Sequence, residues 1–278
     1  MEPNQHEIGV GPTAALSLRV SVAVLYRVLF DDPEDGRTML ALERTATLRD
    51  VEGRPDVTVR AKPFGGAVRL TNPHALKEIV GEFHYDSERS RWEQDFRLQI
   101  QPAAWEKVKD MCQEHVTETA DGMLDSSPER ELVEEFEDTL SVRITPDQYH
   151  VKRRGIRVED RPGATDNVRA AGLPTVRIYY VFEAWIVASE LITMMLANSR
   201  CYSDKDLQNM AWDDARQGGR GRANAMLALG LEDLKDVYRS IPTDRRGGPI
   251  RVGSYQLDGN VLAILEEVDK PKDQLDIR

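Results

Sequence analysis

From Leu16 to Phe30 the chain reads LSLRVSVAVLYRVLF, an apolar run rich in β-branched and aromatic residues. A run so continuous has no polar face to offer water, so it predicts a buried central strand and not a surface hairpin. The residues that follow predict a meander of strands. Asp31 to Arg37 (DDPEDGR) has the composition of a turn, Thr38 to Thr45 (TMLALERT) reads as a second strand, and Asp50 to Asp56 as a loop. Val57, Val59 and Ala61 then alternate inward along a third strand, which leads into Pro63-Phe64-Gly65-Gly66-Ala67-Val68. Adjacent glycines in such a position mark either a bulge or a place where another backbone or a ligand comes close.

The middle of the chain changes character. Pro73 to Val80 predicts a short helix, Asp95 to Ile100 a strand, and Ala103 to Val116 an amphipathic helix with Trp105, Val108, Met111, Cys112 and His115 on one stripe. Apolar stripes face a core, so His115 is assigned no ligand role. Leu140 to Ile144 and Gly155 to Val158 read as short strands, Arg161 to Pro174 as a loop, and Val176 to Ile186 (VRIYYVFEAWI) as the second strongest strand. Its single acid, Glu183, needs either a cationic partner or a function. Ser203 to Arg216 reads as a helix with acidic residues in its first turn. Gly218 to Arg222 (GGRGR) reads as a linker, although glycines and arginines before a helix can also hold a phosphate. Ala223 to Tyr238 has a strong helix pattern, Arg245 to Pro249 a turn, Ile250 to Tyr255 a strand, and Val261 to Val268 a strand or short helix.

A formal charge of −11 over 278 residues argues against duplex nucleic acid or an anionic membrane as the main partner, since both need a positive surface. Cys112 and Cys201 stand far apart in no metal-ligand spacing, which predicts reduced thiols, no disulfide and a cytoplasmic location. Neither a basic leader followed by an apolar run nor an apolar stretch of about eighteen residues occurs.

Against this background the stretch Ser127-Pro128-Glu129-Arg130-Glu131-Leu132-Val133-Glu134-Glu135-Phe136 carries the chemistry. Serine followed by proline suits a helix start, because the hydroxyl can cap a free N–H where proline lacks one at no cost. On a helix Glu131, Glu134 and Glu135 fall on or near one face, while Leu132 and Phe136 share another. Three crowded carboxylates repel unless a cation offsets them, and hard oxygen ligands at this spacing suit Mg²⁺ or Mn²⁺. An acidic run of this kind, taken alone, is most often a solvated helix face. Context raises the metal reading.

Strands, then Gly65-Gly66 closing a strand, then a helix bearing Arg130-Glu131-Leu132-x-Glu134-Glu135 together resemble the Nudix hydrolase family. The resemblance implies a Nudix-like α/β/α sandwich with a mixed sheet over residues 16–240, an inserted strand-helix segment at about 72–124, and helical C-terminal additions, the extension over 241–278 packing on that domain and closing in a polar tail over the last ten residues, after an N-terminal tail at 1–15. It implies Glu131, Glu134 and Glu135 as metal ligands, Arg130 orienting them through an ion pair, and the carbonyl region at Gly65 and Gly66 completing the metal site. Glu137 and Asp138 stand where the family has a glycine and an apolar residue, and about sixty residues separate Gly66 from Arg130. The family's upstream glutamate has no counterpart at its usual spacing, and Asp125 and Glu129 are the candidates to replace it. The inserted form is similar to a SMODS-associated Nudix subgroup, on Phe64-Gly65-Gly66, Asp95-Phe96-Arg97 and the helix from Ala103 to Val116.

The activity implied is metal-dependent hydrolysis of the pyrophosphate of a nucleoside diphosphate derivative, with Glu183 as candidate general base. The partner implied is a nucleotide-type small molecule; a homodimer is left open. Two alternatives stand beside it: a module that binds a nucleotide without cleaving it, and a structural protein whose acidic helix is merely solvated.

Overall fold

Strand β1 (Leu18–Asp31) is the expected central strand, with Val20, Val22, Val24, Tyr26, Val28 and Phe30 wholly inaccessible. The computed structural model describes residues 18–51, 54–117, 122–163, 172–242 and 248–266. The tails expected at 1–15 and over the last ten residues lie outside the described residues, as do parts of the loops expected at 161–174 and 245–249. After β1 come β2 (Thr38–Val51), β3 (Arg54–Lys62) and β4 (Arg69–Leu70), then α1 (Pro73–Val80), β5 (Phe83–Tyr85), α2 (Glu88–Glu93) and β6 (Arg97–Ile100). Next are α3 (Trp105–Thr117), β7 (Leu124–Asp125), α4 (Pro128–Leu140), β8 (Tyr149–Gly163) and β9 (Thr175–Ile186). The chain continues through α5 (Ser189–Cys201), α6 (Asp204–Arg216), β10 (Arg222–Gly230), α7 (Leu231–Ser240), β11 (Ile250–Val252), β12 (Tyr255–Leu257) and α8 (Val261–Leu265). This is a mixed α/β architecture whose sheet is mostly antiparallel, with a parallel pairing between β12 and β3. Among the described residues no helix is long and apolar enough to cross a membrane.

The described residues divide into two units. The first takes residues from 1–22, 69–125 and 158–178. In it the start of β1 pairs antiparallel with β6, and β6 with β5. Helix α3 buries Trp105, Val108, Met111, Cys112 and His115, the stripe its periodicity predicts. Arg19 and Asp86 form a buried ion pair at 2.7 Å, and Ser90 Oγ donates to the same carboxylate.

The second unit takes residues from 23–68, 126–157 and 179–278. Strand β2 organises it, pairing with β1 at its start, with β3 towards its end, and with β10 over nine residues on its other edge. Pairing of Arg49 with Asp56, Asp50 with Pro55 and Val51 with Arg54 puts most of the expected loop at 50–56 into β2 and β3. One sheet face packs Leu25, Leu29, Leu40, Leu42, Tyr179 and Val181 against α7, the β11–β12 hairpin and α8. On the other, Tyr26 O–H donates to the carbonyl of Pro128 at the start of α4, and the Phe64 and Phe136 rings stack at 5.4 Å.

Two expectations are corrected. Ala223 to Tyr238 is not one helix: Ala223 to Gly230 belongs to β10 and only then does α7 begin. ANAMLALG is rich in helix formers, but pairing with β2 outweighs a propensity difference of a few tenths of a kcal/mol per residue. Helix α5 then covers the outer edge of β10, with Asn198 Oδ1 accepting from Met226 N–H and Ser199 Oγ from Ala228 N–H. Nor is Leu140 to Ile144 a strand: α4 runs to Leu140 and ends at Ser141, whose left-handed backbone brings its N–H to the Glu137 carbonyl at 2.9 Å.

Helix α6 starts where expected, and Ser203 with Asp206 forms a reciprocal capping box. Ser203→Ala should therefore cost about 1 kcal/mol in equilibrium denaturation. An unchanged denaturation midpoint would show the box to be dispensable.

Candidate metal centre

Helix α4 begins at the predicted place, with Ser127 as N-cap and Pro128 in the first turn, although the Ser127 side chain makes no capping bond. Leu132 and Phe136 are fully buried, which fixes the rotation of the helix and sends its three glutamates to different surroundings. Glu131 is 6% exposed. Its Oε1 lies 2.6 Å from Arg130 Nη2, and its Oε2 presses on Gly66 so closely that a Cβ there would overlap it. Glu134 is on the solvent side, 52% exposed, and meets Arg130 Nη1 at 3.4 Å. Arg130 thus pairs with two of the three glutamates.

Glu135 is half-buried and turns towards Glu43 on β2. Burial first, and then the charge of Glu43, pushes the Glu135 carboxyl up to about 8. Glu43 itself is wholly buried, yet Lys62 Nζ at 2.7 Å and Arg222 Nη2 at 2.6 Å outweigh that burial and hold its carboxyl well below the usual range. Thr45 Oγ1 donates to it at 2.8 Å.

The two glycines have separate jobs. Phe64 bridges Tyr26 and Ala67 bridges Ala23, so two residues face two and no bulge is inserted. Gly65, at φ +145°, lies where a Cβ would run into the Val24 carbonyl. Gly66 leaves room for the Glu131 carboxylate, while its carbonyl accepts from Val24 N–H at 2.9 Å. Of the two readings of the pair, close approach is the one realised, by a backbone at Gly65 and by a carboxylate at Gly66.

Glu183 requires a correction. Phe182 packs on Tyr26, at 5.9 Å between ring centroids, on the sheet face that meets α4. Side chains alternate along a strand, so Glu183 projects to the opposite face. There Lys152 at 2.6 Å, Arg154 at 2.8 Å and Arg27 at 3.7 Å surround it. Burial opposes its charge, but Lys152 and Arg154 prevail and the carboxyl sits below its ordinary value. A carboxylate so paired, on the wrong face, is no general base for α4. Of the substitutes for an upstream glutamate, Glu129 is exposed and Asp125 pairs with Arg69 between β7 and β4 of the first unit.

Reading the chain for acidic runs misses Glu43, Lys62 and Arg222. The signal for Glu43 was present: it is an acid in an apolar strand, the criterion that singled out Glu183. The cations could not be found that way, since the register alone brings Lys62 opposite Glu43.

Among the described residues no three His, Cys, Asp or Glu side chains converge as a metal cage. The donor chemistry nevertheless fits a hard divalent cation. Glu131, Glu134 and Glu135 come from little more than one helical turn, a carbonyl belongs to the glycine against which Glu131 rests, and Glu135 carries strain from an adjacent carboxylate that positive charge would relieve. Comparisons with protein-family models, curated proteins and solved structures returned no match.

Proposed function

We propose that this protein is a Nudix-like, metal-dependent hydrolase that cleaves the pyrophosphate of a nucleoside diphosphate derivative. The observation carrying this reading is the seat of Glu131 against Gly66, with Glu135 one turn further along α4. It joins the two parts of the resemblance, which lie about sixty residues apart in sequence. Helices on both faces of the mixed sheet in the second unit support a Nudix-like sandwich.

Glu131, Glu134 and Glu135, with the Gly66 carbonyl, would hold Mg²⁺ or Mn²⁺, which when bound supplies charge neutralisation and a more acidic water. Arg130 keeps Glu131 and Glu134 in place, and Gly66 leaves Glu131 its space. A water-attacking base is not assigned to Glu183.

A catalytically impaired nucleotide-binding module is the second reading. What favours it is that Arg130, Lys62 and Arg222 already compensate Glu131 and Glu43. One experiment separates the two: melting temperature and product formation, measured for nucleoside diphosphate derivatives with and without Mg²⁺. The hydrolase should be stabilised by metal with ligand and should release a nucleoside monophosphate. Metal-dependent stabilisation without product selects the binding module, and absence of both effects removes the Nudix reading.

A further inference from the structure

The sheet segment β10–β2–β3 has two unlike faces. Ala46, Val57, Ala223 and Ala225 pack on one side beneath Leu207 and Ala211 of α6. The alternate positions point the other way, and the register brings their polar side chains together. On β3, Lys62 lies opposite Glu43, Arg60 opposite Thr45 and Thr58 opposite Thr47; on β10, Arg222 lies opposite Thr47 and Asn224 opposite Thr45. Antiparallel sheets often carry polar residues on their wet side, usually with both signs mixed. Here Lys62 and Arg222 flank Glu43, which is fully buried, with Glu135 at the margin, and further along the same face Arg49 lies opposite Asp56.

Glu43 does not exhaust those cations. Lys62 and Arg222 remain 32% and 35% exposed, and an ammonium with three donors and a guanidinium with five keep N–H groups to spare. Arg222 Nε is further oriented by Asn224 Oδ1 at 3.1 Å. A buried carboxylate gripping one cation from each neighbouring strand preorganises both for an anionic ligand.

We propose that this face binds the phosphate groups of a small organic phosphate, with Lys62 and Arg222 contacting the phosphates and Glu43 as their positioning residue. It rests on the reading of α4 as the metal side of the same site, and it supplies the side that grips the substrate. Charge complementarity selects the ligand: a diphosphate bears enough negative charge to meet both cations and a metal ion.

The test titrates inorganic pyrophosphate calorimetrically into the intact 278-residue chain, with and without Mg²⁺, and follows Mn²⁺ binding separately by electron paramagnetic resonance. Arg222→Met removes one cation. The double variant Glu43→Gln/Lys62→Met removes a charge pair together, so that no buried carboxylate is left unpaired by the change. Both should bind pyrophosphate about tenfold more weakly than wild type, and with a shallower salt dependence, even without metal. Lys62→Arg should keep most of the affinity. Wild-type affinity in both neutralised proteins, or no pyrophosphate binding by the wild type under either condition, overturns the proposal. If Mn²⁺ does not bind while the variants still weaken pyrophosphate, the metal reading of α4 fails and the phosphate face stands. If Mn²⁺ binds and pyrophosphate affinity is unchanged, the reverse holds.

Discussion

Gly65→Ala is expected to unfold this protein or come close to it, whereas Gly66→Ala should leave it folded and impair the site. At Gly65 the added methyl would meet the Val24 carbonyl, and φ is +145°, a conformation that side-chain-bearing residues rarely adopt. Relief would require moving backbone that carries the Val24-to-Gly66 and Tyr26-to-Phe64 hydrogen bonds of the largely buried strand β1. Strain and lost pairing together should cost about 3 kcal/mol or more, a large part of the roughly 5–15 kcal/mol that holds a typical domain together. At Gly66 the methyl meets the end of the Glu131 side chain, which can swing away at modest cost but then leaves its seat against the glycine. Denaturation midpoints and metal titrations of both variants check this. A Gly65→Ala protein melting within about 2 °C of wild type would show that the strand contact is not as tight as described.

On the proposed hydrolase reading, Glu135→Gln should lower metal-dependent turnover by a factor of about 10² to 10³, and at the same time stabilise the metal-free protein at alkaline pH. The two effects have one cause, the placing of Glu135 beside Glu43 in a poorly solvated setting. An isolated glutamate ionises near 4.5, and in the folded protein Glu135 does so at about 8. The unfolded chain therefore loses this proton first. The group's contribution to stability is intact below about pH 4.5, declines as pH rises, and is gone once pH passes about 8. Glutamine carries no such penalty, so its advantage in melting temperature should grow between those two values and then level off. Melting curves of both proteins in chelator across that range, paired with turnover in Mg²⁺, test the two halves separately. Wild-type turnover in Glu135→Gln would take Glu135 out of the metal set, and a flat stability difference would mean that the two carboxylates do not feel each other.

Local pattern sufficed for elements whose burial is written along a single segment. The continuous apolar run of β1, the stripe of α3 from Trp105 to His115, and the Ser127-Pro128 start of α4 are each set by neighbours in sequence: alternation, helical spacing and capping act over a turn or two. The composition of α4 also showed which residues are hard oxygen donors. Strand β10 was beyond that reach, because Ala, Met and Leu favour a helix locally and only the nine pairs with β2 override that preference.

The site divides along the same line. That Glu131, Glu134 and Glu135 lie close together follows from helical geometry. Which of them meets Gly66, which meets solvent and which meets Glu43 depends on how Leu132 and Phe136 rotate α4 against the sheet. Glu183 was legible as an acid needing partners, and it has three, but strand parity relative to Tyr26 and Phe182 puts it on the far face. Residue type and spacing thus told of the chemistry available. The direction in which each charge points, and the gathering of Lys62, Arg222 and Glu43 from three strands, waited on register and packing, which no single segment encodes.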